Sequence, residues 1–376
     1  MKKIEFYRHS IEEKDIKNVN KILRSIFITT GEAVAEFEDR FSRYLGVKNT
    51  IGVTSCTAAI HLAMLAWKIG EGDEVITTPM SFCATSNAVM HAGAKPVFVD
   101  VEEDTGNINA ELIEKSISGK TKAILPVHLY GHMCDMKKIS KIADKYGLSV
   151  IEDAAHCIEG MRDGVRAGAL GDAACFSFYA TKNITSGEGG AISTNDSGMA
   201  DFLKMLRLHG INKSAADRYT KKYKHWDMSV LGWKYNMDNI QAALLIGQLG
   251  RIKRLCDRRN KIAEMYEDAF YGVKGIRLLK KLPGTKHARH LFTIRVAAGK
   301  RDAIIFELQR KGIGVAVNYR AIHLLSYYRK SFGFKEGDFP VAERIGKETI
   351  SLPLYPLLKD SEAKRVIKTM LDTVKA

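Results

Sequence analysis

Lys182 stands in the segment Phe176-Ser177-Phe178-Tyr179-Ala180-Thr181-Lys182-Asn183, just before the turn Gly187-Glu188-Gly189-Gly190. A lysine in a loop between strands is partly desolvated. Desolvation beside a cationic ring lowers an amine's pKa toward the neutral form that makes Schiff bases. The plain alternative is a surface lysine beside a turn, and a chain with 58 Lys and Arg has many of those. Asp153 ends the run Val150-Ile151-Glu152-Asp153. A carboxylate at a strand tip can sit under a heterocycle nitrogen and keep it protonated, or it can cap the next helix. Glu152 is expected on the opposite face, because strand side chains alternate. His156 lies just beyond, within reach of the same ligand. Thr54-Ser55-Cys56-Thr57-Ala58 occupies a strand-to-helix turn. Unpaired N–H groups there can receive a phosphate, or the Ser and Thr can be ordinary caps.

The elements that position these residues are legible as short apolar runs alternating with helical patterns. Strands are expected at Ile51-Gly52-Val53-Thr54, Glu74-Val75-Ile76-Thr77, Pro96-Val97-Phe98-Val99-Asp100 and Ala123-Ile124-Leu125-Pro126-Val127. Further ones are expected at Ser149 to Asp153, Ala174 to Phe178 and Gly190 to Ser193. Several are apolar on both faces, as strands covered by helices on both sides must be. The pattern predicts a layered α/β unit with a mostly parallel sheet. The three candidate sites then lie at the C-terminal ends of strands, where ligands of open α/β sheets gather. After about Gly210 the texture changes. A basic, aromatic stretch from Lys213 to Lys234 leads into a helical pattern from Met237 to about Leu255, and another helix follows through Tyr266. A strand at Leu291 to Val296 and helices near Ile304 to Arg310 and Ser361 to Val374 complete a smaller α+β unit.

Composition narrows the function classes. The 376 residues are 45% hydrophobic, enough for a large core. No run approaches the roughly 20 apolar residues that span a bilayer. Met1-Lys2-Lys3-Ile4-Glu5 lacks the apolar core of a signal peptide, so a cytoplasmic protein without stable membrane insertion is expected. The six cysteines form no C-x-x-C pair, and neither a disulfide framework nor a metal site is expected. The net charge of +15 comes with no nucleic-acid motif; it reads as a solubilising surface that steers acidic ligands.

A phosphate cradle, a strand-tip Asp and a downstream Ser/Lys loop occur here in the order seen in pyridoxal-phosphate (PLP) enzymes of the aspartate-aminotransferase fold. In detail the chain resembles the DegT/StrS family of nucleotide-sugar aminotransferases. The resemblance rests on Ile28-Thr29-Thr30-Gly31, Gly72-Asp73-Glu74-Val75-Ile76-Thr77, Gly93 to Asp100, Val127-His128-Leu129-Tyr130-Gly131 and Ile151-Glu152-Asp153-Ala154-Ala155-His156. It continues through Phe176-Ser177-Phe178 with Lys182-Asn183, Gly187-Glu188-Gly189-Gly190 and Ile240-Gln241-Ala242-Ala243. It implies a PLP fold type I enzyme. The large three-layer domain would take residues 1–245, with the N-terminal segment packing on the small domain, and the small C-terminal domain residues 246–376.

The resemblance also implies roles. Lys182 would link covalently to PLP and shuttle protons; Asp153 would pair with the pyridine nitrogen; His156 would neighbour the phenolic oxygen; Phe82 would stack on the ring. Cys56, Thr57, Ala58 and Ser177 would surround the phosphate, and Thr29 and Thr30 would line the sugar pocket. Lys234-Tyr235-Asn236 stands where the family often has Asn-Tyr-Arg, so Lys234 or Asn236 would reach the phosphate of a neighbouring subunit in a homodimer with shared sites. Cys56 replaces a usual Gly or Ala, Glu32 and His9 each replace a common Pro, and Asn318 replaces a His. The implied reaction takes an amino group from L-glutamate to a nucleotide-linked keto sugar, most like C4 amination of a UDP-sugar for lipopolysaccharide or other surface polysaccharide. C3 amination and dTDP- or GDP-sugars are the neighbouring alternatives. A sugar dehydratase would carry His at position 182, a cysteine desulfurase needs a Cys in a mobile loop, and a silent regulator has no reason to keep Lys182, Asp153 and Ser177 together.

Overall fold

The computed structural model describes residues 2–212 and 225–375; the first part of the basic stretch beginning at Lys213 therefore lies outside the described residues. The central sheet has seven strands, in the order Asn49–Val53, Gly190–Thr194, Ala173–Ser177, Ser149–Asp153, Thr121–Ile124, Glu74–Thr77 and Lys95–Phe98. Gly190–Thr194 pairs antiparallel with both of its neighbours, and every other pairing is parallel. The sheet is thus mostly parallel, with a single reversed strand.

Alternation along each strand sorts the side chains into two cores. Ile51, Val53, Val75, Ile151, Cys175 and Ile192 pack beneath the helix Cys56–Ala66. That helix is buried nearly all round, as its uniformly apolar sequence requires. Ile76, Ile124, Val150, Ala174, Phe176 and Ala191 face the other way, against Phe37, Phe41, Ile139 and Leu245. Glu32–Leu45, Met136–Tyr146 and Asn239–Leu249 cover that side. Met136–Tyr146 shows how local the signals are. Asp135 caps it by accepting the Lys138 N–H at 3.1 Å, Met136, Ile139, Ile142 and Ala143 form its buried stripe, and Gly147 ends it at φ 64°.

The smaller unit has an antiparallel sheet ordered Thr349–Leu352, Phe292–Arg295 and Arg277–Leu278. Ile262, Tyr266, Phe270, Leu308, Val366 and Met370 pack on it. Ile4 joins this core, and its backbone bonds Gly312 at 2.9 Å and Gly314 at 2.8 Å.

The single helix expected from Met237 to Leu255 is two helices, Asn239–Leu249 and Ile252–Phe270. Arg251 leaves the helical region at φ −119° and ψ 15°, and its guanidinium bonds Asp15 and the Ser10 carbonyl. An ion pair from a distant segment takes the place of helix continuity. The second helix serves both cores, with Ile252 and Leu255 in the large one and Ile262 onward in the small one. No helix among the described residues is long and apolar enough to cross a membrane.

Candidate active site

The sheet topology gathers the candidate residues at one edge. Ser177 pairs with Gly190, Gly190 pairs with Val53, and Val53 forms a bridge with Asn236, so these four make a row across the strand ends. Asp153 lies on the next strand, beside Cys175. The row closes only because residue 190 is glycine. A Cβ there would stand 2.3 Å from the Ser55 carbonyl carbon and 2.6 Å from the Cys56 nitrogen. Gly190 therefore lets the reversed strand touch the start of the helix Cys56–Ala66.

At that helix start both readings of the Thr54 to Ala58 turn hold. Ser55 is a true cap, its Oγ accepting the Ala58 N–H at 3.1 Å. The N–H groups of Cys56 and Thr57 have no intrahelical acceptor, as the first turn of a helix requires. They are the donors left for a phosphate, with Ser177 Oγ nearby in the row. Ser177 Oγ accepts the Tyr179 N–H at 3.3 Å, which leaves its own O–H free to donate.

Asp153 is buried and its carboxylate is held from several sides. Thr85 Oγ1 donates to Oδ2 at 2.7 Å, the Ala155 N–H donates to Oδ1 at 3.1 Å, and the Cys56 thiol lies 3.9 Å from Oδ1. Ser81 Oγ stands 2.8 Å behind Thr85 Oγ1. Burial first, then Asp153, pushes the Cys56 thiol well above its ordinary pKa, so Cys56 stays a neutral small side chain here. Glu152 points to the opposite face, as alternation predicts. It accepts from Gly168 N–H at 2.9 Å and Gly171 N–H at 3.2 Å, and lies 2.7 Å from His128 Nε2.

Lys182 is half-buried at the far side of the same space. Burial lowers its ammonium to about 8, against the opposing pull of Cys56 and Asp153. Its neighbour Asn183 anchors the loop, donating to Glu159 Oε2 at 2.6 Å and to the Ala288 carbonyl at 2.9 Å. Arg259, almost fully buried, pairs with Glu159. His156 accepts the Tyr130 N–H at Nδ1, 3.2 Å away, which assigns its proton to Nε2, facing Tyr319 Oη at 3.2 Å. Burial, then the positive Lys182, pulls its pKa well down, so the imidazole is neutral. The His290 ring packs against it, tilted by 35° with centroids 4.3 Å apart.

Phe82 is 57% exposed, and its ring lies 6.0 Å from that of Tyr319. Thr30, Asn236 and Lys234 form one chain. Asn236 Nδ2 donates to Thr30 Oγ1 at 2.6 Å, and Lys234 Nζ donates to Asn236 Oδ1 at 2.5 Å. Thr29 is partly buried beside them, its carbonyl accepting from the Asn239 N–H at 3.3 Å. Sequence reasoning missed Thr85, Tyr319, His290 and the Glu159–Arg259 pair. Only Thr85 had a local signal, one helical turn beyond Phe82.

These residues fit PLP. They offer an amine of lowered pKa, a carboxylate with hydrogen-bond donors behind it, free N–H groups at a helix start where only glycine fits opposite, and an exposed aromatic face.

Comparison with known proteins agrees. The profile described as the DegT/DnrJ/EryC1/StrS aminotransferase family matches residues 9–371. The spore coat polysaccharide biosynthesis protein SpsC of Bacillus subtilis is 40% identical over 371 residues, covering 97% of this chain and 95% of that protein. Among solved structures, Spr1654 from Streptococcus pneumoniae in its PMP-form superposes with a TM-score of 0.94 at 32% identity, covering 99% of both chains. Helicobacter pylori PseC, an aminotransferase involved in the biosynthesis of pseudoaminic acid, superposes at 0.93 with 29% identity and full coverage of both.

Proposed function

The chain belongs to the DegT/DnrJ/EryC1/StrS aminotransferase family, and from that premise we propose that it is a PLP-dependent sugar aminotransferase moving the amino group of L-glutamate onto C4 of a UDP-linked 4-keto sugar. PLP-dependent sugar amination is the class of reaction; the nucleotide, the carbon and the donor are the finer reading. The observation that carries the class is the pairing of Lys182, an amine lowered to about 8, with Asp153, a buried carboxylate on the neighbouring strand. The products would feed a surface polysaccharide or lipopolysaccharide, a reading supported by the likeness to SpsC. The enzyme would act in the cytoplasm as a homodimer.

PLP supplies an aldehyde carbon for amine exchange and a ring that withdraws electrons from it. Everything else is this chain's work. Asp153 would pair with the ring nitrogen, and Thr85 and Ala155 hold that carboxylate in place. The N–H groups of Cys56 and Thr57 and the Ser177 hydroxyl bind the phosphate. Phe82 covers the ring face, and His156 stands at its oxygen. Lys182 would hold the cofactor and act as the acid and base that moves the proton between carbons in both halves of the reaction. Thr29 and Thr30 face the sugar, and Lys234 or Asn236 reaches the phosphate bound by the partner subunit.

The test is the visible absorption spectrum of protein loaded with PLP, before and after L-glutamate. A band that appears on loading and is converted by glutamate supports the reading, and keto-sugar nucleotides can then be screened as acceptors. No band even with excess PLP would remove Lys182 from its role. Amination of only 3-keto or dTDP-linked acceptors would overturn the C4 and UDP assignments alone.

A further inference from the structure

A second cavity, of about 230 Å³, opens between the small unit and the large one, apart from the space between Lys182 and Asp153. We propose that it binds a small organic phosphate at a site distinct from the catalytic one, and that its occupant acts on the loop holding Lys182.

Charge is the first reason. Four cations line the cavity. Lys280 is paired with Asp104 at 3.0 Å and Arg289 with Glu267 at 2.7 Å. Lys281 and Lys286 are exposed and have no acidic partner among the described residues. Glu264 is the one lining carboxylate without a cationic partner among the described residues, so the lining keeps a net positive charge.

Unspent hydrogen-bonding capacity is the second. His132 and Thr293 line the cavity and are each only 4% exposed, yet His132 Nδ1 and Thr293 Oγ1 have no partner among the described residues. Buried polar groups are normally satisfied, and such atoms in a cavity wall point to a missing polar ligand. The volume exceeds what one water requires. Leucine and phenylalanine side chains form part of the wall, which suits an organic body behind the anionic group. Burial, then Arg162 and Arg289, pulls the His132 imidazole down to about 4, so His132 is neutral in the cavity wall.

The wall is one peptide from the catalytic loop. Ala288 lies between the lining residues His287 and Arg289. Its N–H bonds the Gly131 carbonyl at 2.8 Å, and its carbonyl receives Asn183, the neighbour of Lys182, at 2.9 Å. Tyr130, beside Gly131, holds His156 at 3.2 Å. A ligand that fixes the segment from Lys286 to Arg289 therefore bears on both Lys182 and His156, and the coupling is reciprocal.

The test is titration calorimetry of the PLP-loaded enzyme with inorganic phosphate, beside the double variant K281A/K286A. One site per chain is expected, weakened at least tenfold in the double variant, whose cofactor band before phosphate is added matches that of the wild type. T293V, which alters no charge, should also weaken it and separates a built site from general charge screening. Equal isotherms in wild type and double variant, or no binding heat in either, would overturn the proposal. A small shift of the cofactor band on phosphate binding, absent in the double variant, is the expected sign of coupling, and its absence from the wild type would overturn the link to Lys182.

Discussion

Thr85 donates a 2.7 Å hydrogen bond to Asp153 Oδ2, and Ser81 stands directly behind it. That hydrogen bond fixes the orientation of the buried carboxylate proposed to face the ring nitrogen. Hydrogen bonds to charged groups contribute about 1.5–3 kcal/mol. Thr85→Val should therefore lower turnover about tenfold or more. It should also shift the pH at which the cofactor's absorption band titrates, which a merely structural defect would leave in place. Thr85→Ser, which restores the hydroxyl, should recover most of both.

Gly190→Ala tests the closure of the phosphate end. The added Cβ would meet backbone atoms of Ser55 and Cys56 well inside contact distance, and backbone cannot rotate away as a side chain can. Overpacking of this kind costs about 1–3 kcal/mol. The variant should melt lower, and it should lose PLP affinity by more than its loss of stability explains, because the displaced Cys56 N–H is one of the proposed phosphate donors. Equilibrium dialysis of PLP against the refolded variant, beside thermal melts, checks both.

Much of this site was legible because its parts lie on adjacent strand tips. Asp153 and Ser177 end two strands that are neighbours in the sheet, and Lys182 follows the second by five residues. The alternation that set Glu152 away from Asp153 also sorted Ile151 from Val150 into the two cores. What was not legible came from a distance. Thr85 is 68 residues from Asp153, and Tyr319 is 163 from His156. No periodicity links such pairs. The helix break at Arg251 was hidden for the same reason, since its partner Asp15 lies 236 residues earlier. Gly250, which caps the first helix, was the one local cue, and the helical pattern on either side masked it.

The ammonium of Lys182, lowered to about 8 chiefly by burial, sets a pH dependence for loading. Only the neutral amine attacks an aldehyde. The rate of PLP capture by the apo protein should rise as pH increases through about 8 and level off above it, falling about tenfold per unit below. The sign follows from the direction of the shift, since an unperturbed lysine would keep rising to a pH more than two units higher. Rapid-mixing absorbance across that range checks it, and Lys182→Ala should show no band beyond that of free PLP at any pH.

Glu159 ties Lys182 to the small unit, accepting from Asn183 at 2.6 Å on one side and pairing with Arg259 on the other. Both charges are almost fully buried. Removing one partner of such a pair leaves an uncompensated buried charge, which costs about 3–5 kcal/mol. Removing both together leaves none. Arg259→Met should therefore destabilise strongly, and Glu159→Gln similarly, whereas the double variant should be more stable than the sum of the two losses allows. Function should divide differently from stability. Glu159→Gln keeps an oxygen that can accept from Asn183, so its cofactor band should persist. Arg259→Met leaves Glu159 without its cation and loosens the anchor of Asn183 beside Lys182, so its loading profile should fall at every pH. Denaturant melts of the three variants and the loading profile of Arg259→Met measure these outcomes. An additive double variant with an unmoved profile would show that the pair neither acts as a unit nor reaches Lys182.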